Sequence, residues 1–467
     1  VKTRYDLMVV GGGPGGYVAA IRASQLGFRT ALVEREALGG VCLNWGCIPT
    51  KALLRGAEIA HTLRTAGDFG FTVGPSSLDL EVLVGHSRSV AMGLSKGIAQ
   101  LLRKHSVTHI KGHARLEGKC SLSVEGEEGA QTYQAKHIVL ATGARPRQLP
   151  GIVVDGELIW GAREAMTPTR LPQRLLVIGA GAIGVEFASL YADLGSEVTL
   201  VEMAGGILPG ADDEIATRAQ AALSERGIRI LTRHSLVQLA PRGQDALTAT
   251  LASAEGSNTL EVETDRAILA VGVTGNVEDL GLETVGAEVS RGFLVTDDWG
   301  YTGVVGLYAI GDVAGPPWLA HKASHQAVQC VERIAGVGHR QALQMSRVPT
   351  CIYSRPQIAS VGLTEAQARA DGRPIRVGRA PLQANGKALA MGEGKGLVKT
   401  LFDEATGELL GAHLIGPEVT ELVQGFTVAR QLEATENDLL DTVFPHPTLS
   451  ESMHESVLDA LNRAIHH

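Results

Sequence analysis

Arg4-Tyr5-Asp6-Leu7-Met8-Val9-Val10-Gly11-Gly12-Gly13-Pro14-Gly15-Gly16 is the stretch whose reading decides the fold. A short apolar strand runs straight into a G-x-G-x-x-G turn and then into an Ala-rich helix that ends near Gly27. In such a turn the first glycine (Gly11) permits the bend, the second (Gly13) lets the backbone approach a pyrophosphate, and the third (Gly16) lets helix and strand pack closely. Helix N–H groups then face the phosphates. A second apolar run, Arg29 to Val33, closes on Glu34, a carboxylate placed to accept ribose hydroxyls. The device returns at Leu175 to Ile178, followed by Gly179-Ala180-Gly181-Ala182-Ile183-Gly184, a helix to Leu194, a strand from Glu197 to Val201, and Glu202. In both copies the acid stands 23 positions after the first glycine (34 − 11 and 202 − 179). One fingerprint alone is weak, since it also fits a plain strand-to-helix turn; two with matched strands, helices and acids predict two dinucleotide sites. Glu202 would repel a 2′-phosphate and no arginine follows it directly, so the second site is expected to take NAD rather than NADP.

A chain of 467 residues with 44% apolar content is long enough for three or four domains. Its formal charge is 42 − 50 = −8 with Lys and Arg dispersed, so no nucleic-acid partner is expected. Neither a basic-apolar leader nor an unbroken apolar run of roughly 18 residues occurs, which predicts a soluble, non-exported protein with no membrane partner. Five cysteines in so long a chain do not make a disulfide scaffold and suit a reducing compartment.

Two of those cysteines stand in Gly39-Gly40-Val41-Cys42-Leu43-Asn44-Trp45-Gly46-Cys47-Ile48-Pro49-Thr50-Lys51. In a regular helix a separation of five residues means a rise of about 7.5 Å, beyond the roughly 7 Å Cα limit for a disulfide. A bond between Cys42 and Cys47 therefore requires an irregular turn, for which Gly46 supplies freedom, and Pro49 belongs in the first turn of a following helix. Cys47 would then head that helix, where the dipole favours a thiolate, with Lys51 one turn on along the same face. The alternatives are two buried cysteines or half a metal site. Zinc ligands usually pair as C-x-x-C with a second pair downstream, and Cys120, Cys330 and Cys351 offer no such spacing. A redox role is the stronger reading, the other three cysteines are expected in the core, and no metal is expected.

Near the C-terminus, His446 precedes a helix whose Met453, Val457, Leu461 and Ile465 recur every four residues as an expected buried stripe. Pro447 restricts the backbone beside it. Thr448-Leu449-Ser450-Glu451 fits a capping box, so the residues alone make Glu451 a helix cap. His454, His321 and His325 read as surface or satisfied core, and no function is given to His466 and His467.

These motifs in this order, with the Ala141-Thr142-Gly143-Ala144 strand end, Tyr308-Ala309-Ile310-Gly311-Asp312 and Pro445-His446-Pro447-Thr448-Leu449-Ser450-Glu451, resemble the dihydrolipoamide dehydrogenases over essentially the whole chain. That group sits within the pyridine nucleotide-disulfide oxidoreductases, beside glutathione and mercuric reductases. The resemblance implies an α/β fold: two Rossmann-like dinucleotide-binding domains, a central domain and a C-terminal α+β dimerisation domain. The expected boundaries are 1–150 for FAD, 151–272 for NAD, 273–345 for the central domain and 346–467 for dimerisation. FAD contacts are implied for Gly11, Gly13, Gly16, Glu34, Lys51, Ala114, Thr142, Gly143, Asp312 and Ala320, although Asp312 alone would be an ordinary turn residue and Lys51 a solvated one. NAD contacts are implied for Gly179, Gly181, Gly184, Glu186, Glu202 and Gly272, with Glu186 also pairing with Lys51 beside the flavin. Two departures stand out: Val273-Thr274-Gly275-Asn276 where many relatives have Arg-Arg-Pro-Asn, and Phe444 where many have a His.

The implied chemistry makes His446 of one subunit the acid/base for the Cys42–Cys47 pair of the other, with Glu451 orienting it. Glu451 can both cap and orient only if its carboxylate reaches the ring. Histidine suits the task because its ordinary pKa, about 6.5, lets it exchange a thiol proton near neutrality. Homodimerisation, docking to the lipoyl domain and peripheral-subunit-binding region of an acyltransferase core, and a cytoplasmic or mitochondrial-matrix location follow from the same likeness. Glutathione reductase-like activity is disfavoured by Glu202, mercuric reductase-like activity by the lack of a C-terminal Cys pair, and a soluble transhydrogenase by the presence of both cysteines. The rival of another class is a docking scaffold.

Overall fold

A computed structural model describes residues 3–254, 256, 259–338 and 341–467. It forms two compact units, one of Val1–Leu53, Asp79–Arg147 and Gly272–Leu343, the other of Leu54–Leu78, Gln148–Val271 and Gln344–His467.

The first unit is built on a sheet in which strands Thr108–Lys111, Thr30–Glu34, Thr3–Val10, Gly129–Leu140 and Leu307–Ala309 run parallel. An antiparallel meander, His113–Gly118 and Ser121–Gly126, extends it from the long Gly129–Leu140 strand. Leu7, Met8, Val9 and Leu32 are wholly buried, as expected for parallel strands covered on both faces. Val10 pairs with Val33 and Leu140, and Leu140 with Ala309, so the strands end level. From that carboxyl edge emerge Gly11, Glu34, Thr142 and Gly311, the place where such sheets bind ligands. Helices Pro14–Gln25 and Ala320–Ile334 pack closely through Gly15, Ala19, Ala23, Ala323 and Ala327.

Residues 273–343, most of the segment expected as a central domain, lie in this unit. Leu307–Ala309 is a strand of its sheet, and Val273–Gly275 pairs antiparallel with Ala144–Pro146. The β-ladder bonds are long-range in sequence and left no mark on composition.

The second unit contains the parallel sheet Arg229–Leu231, Glu197–Val201, Arg174–Ile178, Arg266–Leu269 and Ile159–Trp160, with a three-stranded antiparallel sheet over 234–264. Its C-terminal part is a five-stranded antiparallel sheet, ordered Thr350–Ile352, Gln357–Gly362, Leu409–Gly416, Leu397–Asp403, Ile375–Pro381. Helices Val419–Gln431 and Glu451–Ala460 cover it, with Phe402, Leu414, Phe426 and Val457 in the core. No helix among the described residues is long and apolar enough to cross a membrane.

Two expectations are corrected. The C-terminal helix stops at Ala460; Met453 and Val457 are buried, but Leu461 is half-buried and Ile465 is 71% exposed, because Asn462 takes a left-handed conformation (φ 54°) and turns the chain away. Cys120 is exposed at a left-handed turn (φ 60°) between two strands rather than in the core, whereas Cys330 is buried and Cys351 half-buried.

Candidate active site

Gly40–Trp45 forms a short helix, and a second helix, Cys47–Thr65, starts immediately after Gly46. The break supplies the required irregular turn: a Cβ on Gly46 would lie 3.1 Å from the Val41 carbonyl oxygen. Across it the Cys42 thiol donates to Cys47 Sγ at 2.8 Å. Asn44 Nδ2 donates to the carbonyls of Leu38 and Gly40 at 3.0 and 2.9 Å, and Thr50 Oγ1 to Gly46 at 2.7 Å, so the turn is tied at both ends. From helix Leu80–Lys104, Arg88 bonds the Asn44 carbonyl and lays its guanidinium 4.1 Å over the Trp45 ring. The hydrogen bond to Cys47, burial and the charge of Cys47 all push the Cys42 thiol up; Lys51 opposes this and Asp312 adds to it. Cys47 is exposed at the head of its helix, where the dipole favours a thiolate.

The same unit brings further expected residues to the carboxyl edge. The Glu34 carboxylate accepts from Gly12 N at 2.6 Å and Glu36 N at 2.7 Å. Thr142 Oγ1 donates to the Asn276 carbonyl and Asn276 Nδ2 to the Thr142 carbonyl, both at 2.8 Å, while Asn276 N donates to Gly143 at 3.0 Å. Ala114 is buried in strand His113–Gly118, Ala320 opens helix Ala320–Ile334, and Asp312 is half-buried, its carboxyl pushed up by desolvation against the pull of Lys322. Gly272, on a left-handed turn (φ 95°), accepts from Arg147 N at 2.9 Å.

In the second unit Glu202 repeats the role of Glu34, accepting from Ala180 N at 2.8 Å and Ala204 N at 2.9 Å. Gly179 and Gly11 both take φ near +100° (98° and 105°), and in each loop a Cβ on the third glycine, Gly184 or Gly16, would lie 1.8 Å from the first glycine's carbonyl oxygen. A Cβ on Gly181 would meet nothing within 4 Å, so open space lies in front of the middle glycine. Buried Glu186 accepts from Tyr353 N at 2.9 Å.

His446 and Glu451 meet: His446 Nδ1 lies 2.8 Å from Glu451 Oε1 while Glu451 Oε2 accepts from Thr448 N at 2.9 Å. One carboxylate thus orients the ring and holds the approach to the helix. The box is half-formed, since Thr448 Oγ1 turns away to the Pro445 carbonyl. Burial would raise the Glu451 carboxyl, but the Thr448 N–H and the imidazole prevail and hold it below the usual range. His446 is 78% exposed and so open to an incoming group.

Sequence reading missed two neighbours of the dithiol segment and a lysine behind the Gly311–Ala314 turn. Tyr17, just past the first fingerprint, has its phenol pushed up by burial and by Cys42; Arg88 is the other neighbour, and Lys322 is the lysine. Among the described residues no group of three or more His, Cys, Asp or Glu side chains is arranged to hold a metal ion.

The family model of the pyridine nucleotide-disulphide oxidoreductases matches residues 5–327, and that of their dimerisation domain residues 348–457. The dihydrolipoyl dehydrogenase of Rhizobium etli is 51% identical over 477 aligned positions, covering 99% of each chain, and that of Zymomonas mobilis 52% identical over 463, also covering 99% of each. Among solved structures, LpdA of Mycobacterium tuberculosis superposes with a TM-score of 0.90 at 29% identity, covering 97% of this chain and 99% of that one. The HOCl-induced flavoprotein disulfide reductase RclA of Escherichia coli gives 0.85 at 26%, with the same coverage. The chain belongs to the pyridine nucleotide-disulphide oxidoreductases.

Proposed function

We propose that this chain oxidises protein-bound dihydrolipoyl groups to the lipoyl disulfide and delivers the electron pair to NAD through FAD and its own Cys42–Cys47 pair. The observation that carries this is the 2.8 Å approach of the two sulfurs across an interrupted helix. Kinship to dihydrolipoyl dehydrogenases over 99% of the chain supplies the substrate class.

The residues fit a dinucleotide at both loops, since each third glycine leaves no room for a Cβ and each acid is held by backbone N–H groups at the loop. Gly11, Gly13, Gly16, Glu34, Lys51, Ala114, Thr142, Gly143, Asp312 and Ala320 would hold FAD in this reading. Gly179, Gly181, Gly184 and Glu202 would hold NAD, and the segment 346–467 would pair two copies. The partner subunit's His446, oriented by a carboxylate, takes the proton from one substrate thiol. The resulting thiolate attacks Cys42 of the oxidised pair, breaking the Cys42–Cys47 bond and forming a mixed disulfide, with the pair's electrons left on Cys47. The second substrate thiol then attacks the sulfur joined to Cys42, releasing the lipoyl disulfide and leaving both cysteines reduced. Bound FAD supplies two-electron transfer from the dithiol to NAD. The setting is a bacterial cytoplasm, and the dihydrolipoyl group arrives on the lipoyl domain of an acyltransferase core.

Steady-state assays with dihydrolipoamide and NAD test this directly. Turnover with NAD far above that with NADP is expected; preferential reduction of glutathione disulfide by NADPH would overturn it.

A further inference from the structure

Helix Ala320–Ile334 buries a lysine against a turn. Lys322 is 1% exposed, and its Nζ donates to the carbonyls of Gly315 at 2.6 Å and Gly311 at 3.3 Å. Those two carbonyls bracket the 3₁₀ turn Gly311–Ala314, which carries half-buried Asp312. Desolvating an ammonium ion costs several kcal/mol, so a side chain needed only to fill this space would be apolar. Burial has pulled the Lys322 amine down to about 8, with Asp312 opposing. Asp312 in turn acts on Cys42, and so does Lys51. The ammonium thus stands against both ends of the turn that carries Asp312, within one unit.

We propose that Lys322 is a positioning residue for the flavin, fixing the Gly311–Ala314 turn through both of its end carbonyls and stabilising the negative charge that the bound ring gains on reduction. The inference rests on the FAD reading above. A positive charge held in a low-dielectric interior acts far more strongly than one in water, and here it is locked by backbone acceptors rather than neutralised by a full ion pair at hydrogen-bond distance. Its effect is on the energy of the reduced state, without contact with substrate.

The test uses the purified holoprotein and the variants Lys322→Met and Lys322→Arg, with two readouts: FAD retained per chain after desalting, and the two-electron midpoint potential of the flavin at pH 7 by anaerobic dye equilibration. Lys322→Met is expected to shift the potential to a more negative value, and Lys322→Arg to leave it near that of the unaltered protein. A Met variant that keeps FAD and an unchanged potential overturns the proposal. Should the Met variant fail to fold, the unaltered protein decides, with Cys42 and Cys47 alkylated. Its potential must fall more steeply with pH above about 8, where reduction draws a proton onto Lys322. Asp312, Tyr17 and Lys51 also titrate beside this turn or the dithiol. A constant slope from pH 6.5 to 9.5 overturns the proposal. A protein that binds no FAD at all overturns the proposed function, and this inference with it.

Discussion

The two glycine turns are nearly the same object, but the chain beyond them differs. Gly12 N and Ala180 N each donate to the acid 22 residues on, and the second residue after each acid, Glu36 or Ala204, donates to the same carboxylate. The loop's second carbonyl, of Gly12 or Ala180, accepts from Gly39 N in one copy and Leu208 N in the other, both at 2.8 Å. From there the copies diverge. After the first, Gly40 crosses Gly13 so closely that a Cβ would lie 2.7 Å from its Cα, and the chain turns into the dithiol segment. After the second, it runs to Asp212, which caps helix Asp213–Glu225 and is gripped by buried Lys399 at 2.8 Å. One cradle therefore serves two ends: the loop beyond the acid carries chemistry in the first copy and an ionic anchor in the second.

Altering one copy at a time probes this division. Cys47→Ser should cut turnover with dihydrolipoamide roughly 10³-fold or more while leaving NADH binding intact; parallel loss of nucleotide binding in a titration would break the comparison. Lys399→Met strands the buried Asp212 carboxylate and should cost about 3 kcal/mol in chemical denaturation at pH 7, with FAD content unaltered.

The same anchor sets an acid limit. Burial raises the Asp212 carboxyl, but Lys399 and its other donors prevail and hold it below 3.8. A depressed carboxyl contributes stability that is complete above its unfolded pKa and is lost as pH falls through the lower folded value. Thermal melts of the unaltered protein should therefore drop below about pH 4, and the drop should shrink in Lys399→Met.

Smaller effects separate the cradles themselves. Gly184→Ala forces a Cβ toward the Gly179 carbonyl and should cost about 2 kcal/mol, abolishing NAD reduction while flavin absorbance survives; Gly16→Ala should instead lose FAD. Glu202→Ala should raise KM for NAD about tenfold with kcat little changed, as measured by steady-state kinetics.

Both cradles and the dithiol were legible in the sequence because their signal is local: glycines, acids and cysteines at fixed spacing. Glu451 was legible as a cap and, through family likeness alone, as the orienting acid, and the geometry gives its two oxygens to the two tasks. Lys322 and Lys399 were not legible, since a lysine on a helix or strand reads as solvated until distant carbonyls and carboxylates converge on it. Arg88 over Trp45 joins positions 43 residues apart (88 − 45) and has no local mark. The stripe drawn through Ile465 failed at Asn462, because periodicity cannot register a left-handed residue.

The central claim is that the Cys42–Cys47 pair takes the electrons from the substrate. Anaerobic reduction by one equivalent of dihydrolipoamide without NAD, followed by rapid alkylation and peptide mapping, tests it most directly. Two newly labelled residues are expected, Cys42 and Cys47, with Cys120, Cys330 and Cys351 unchanged from the unreduced sample. Bleaching of the flavin with the Cys42–Cys47 bond still intact would contradict it.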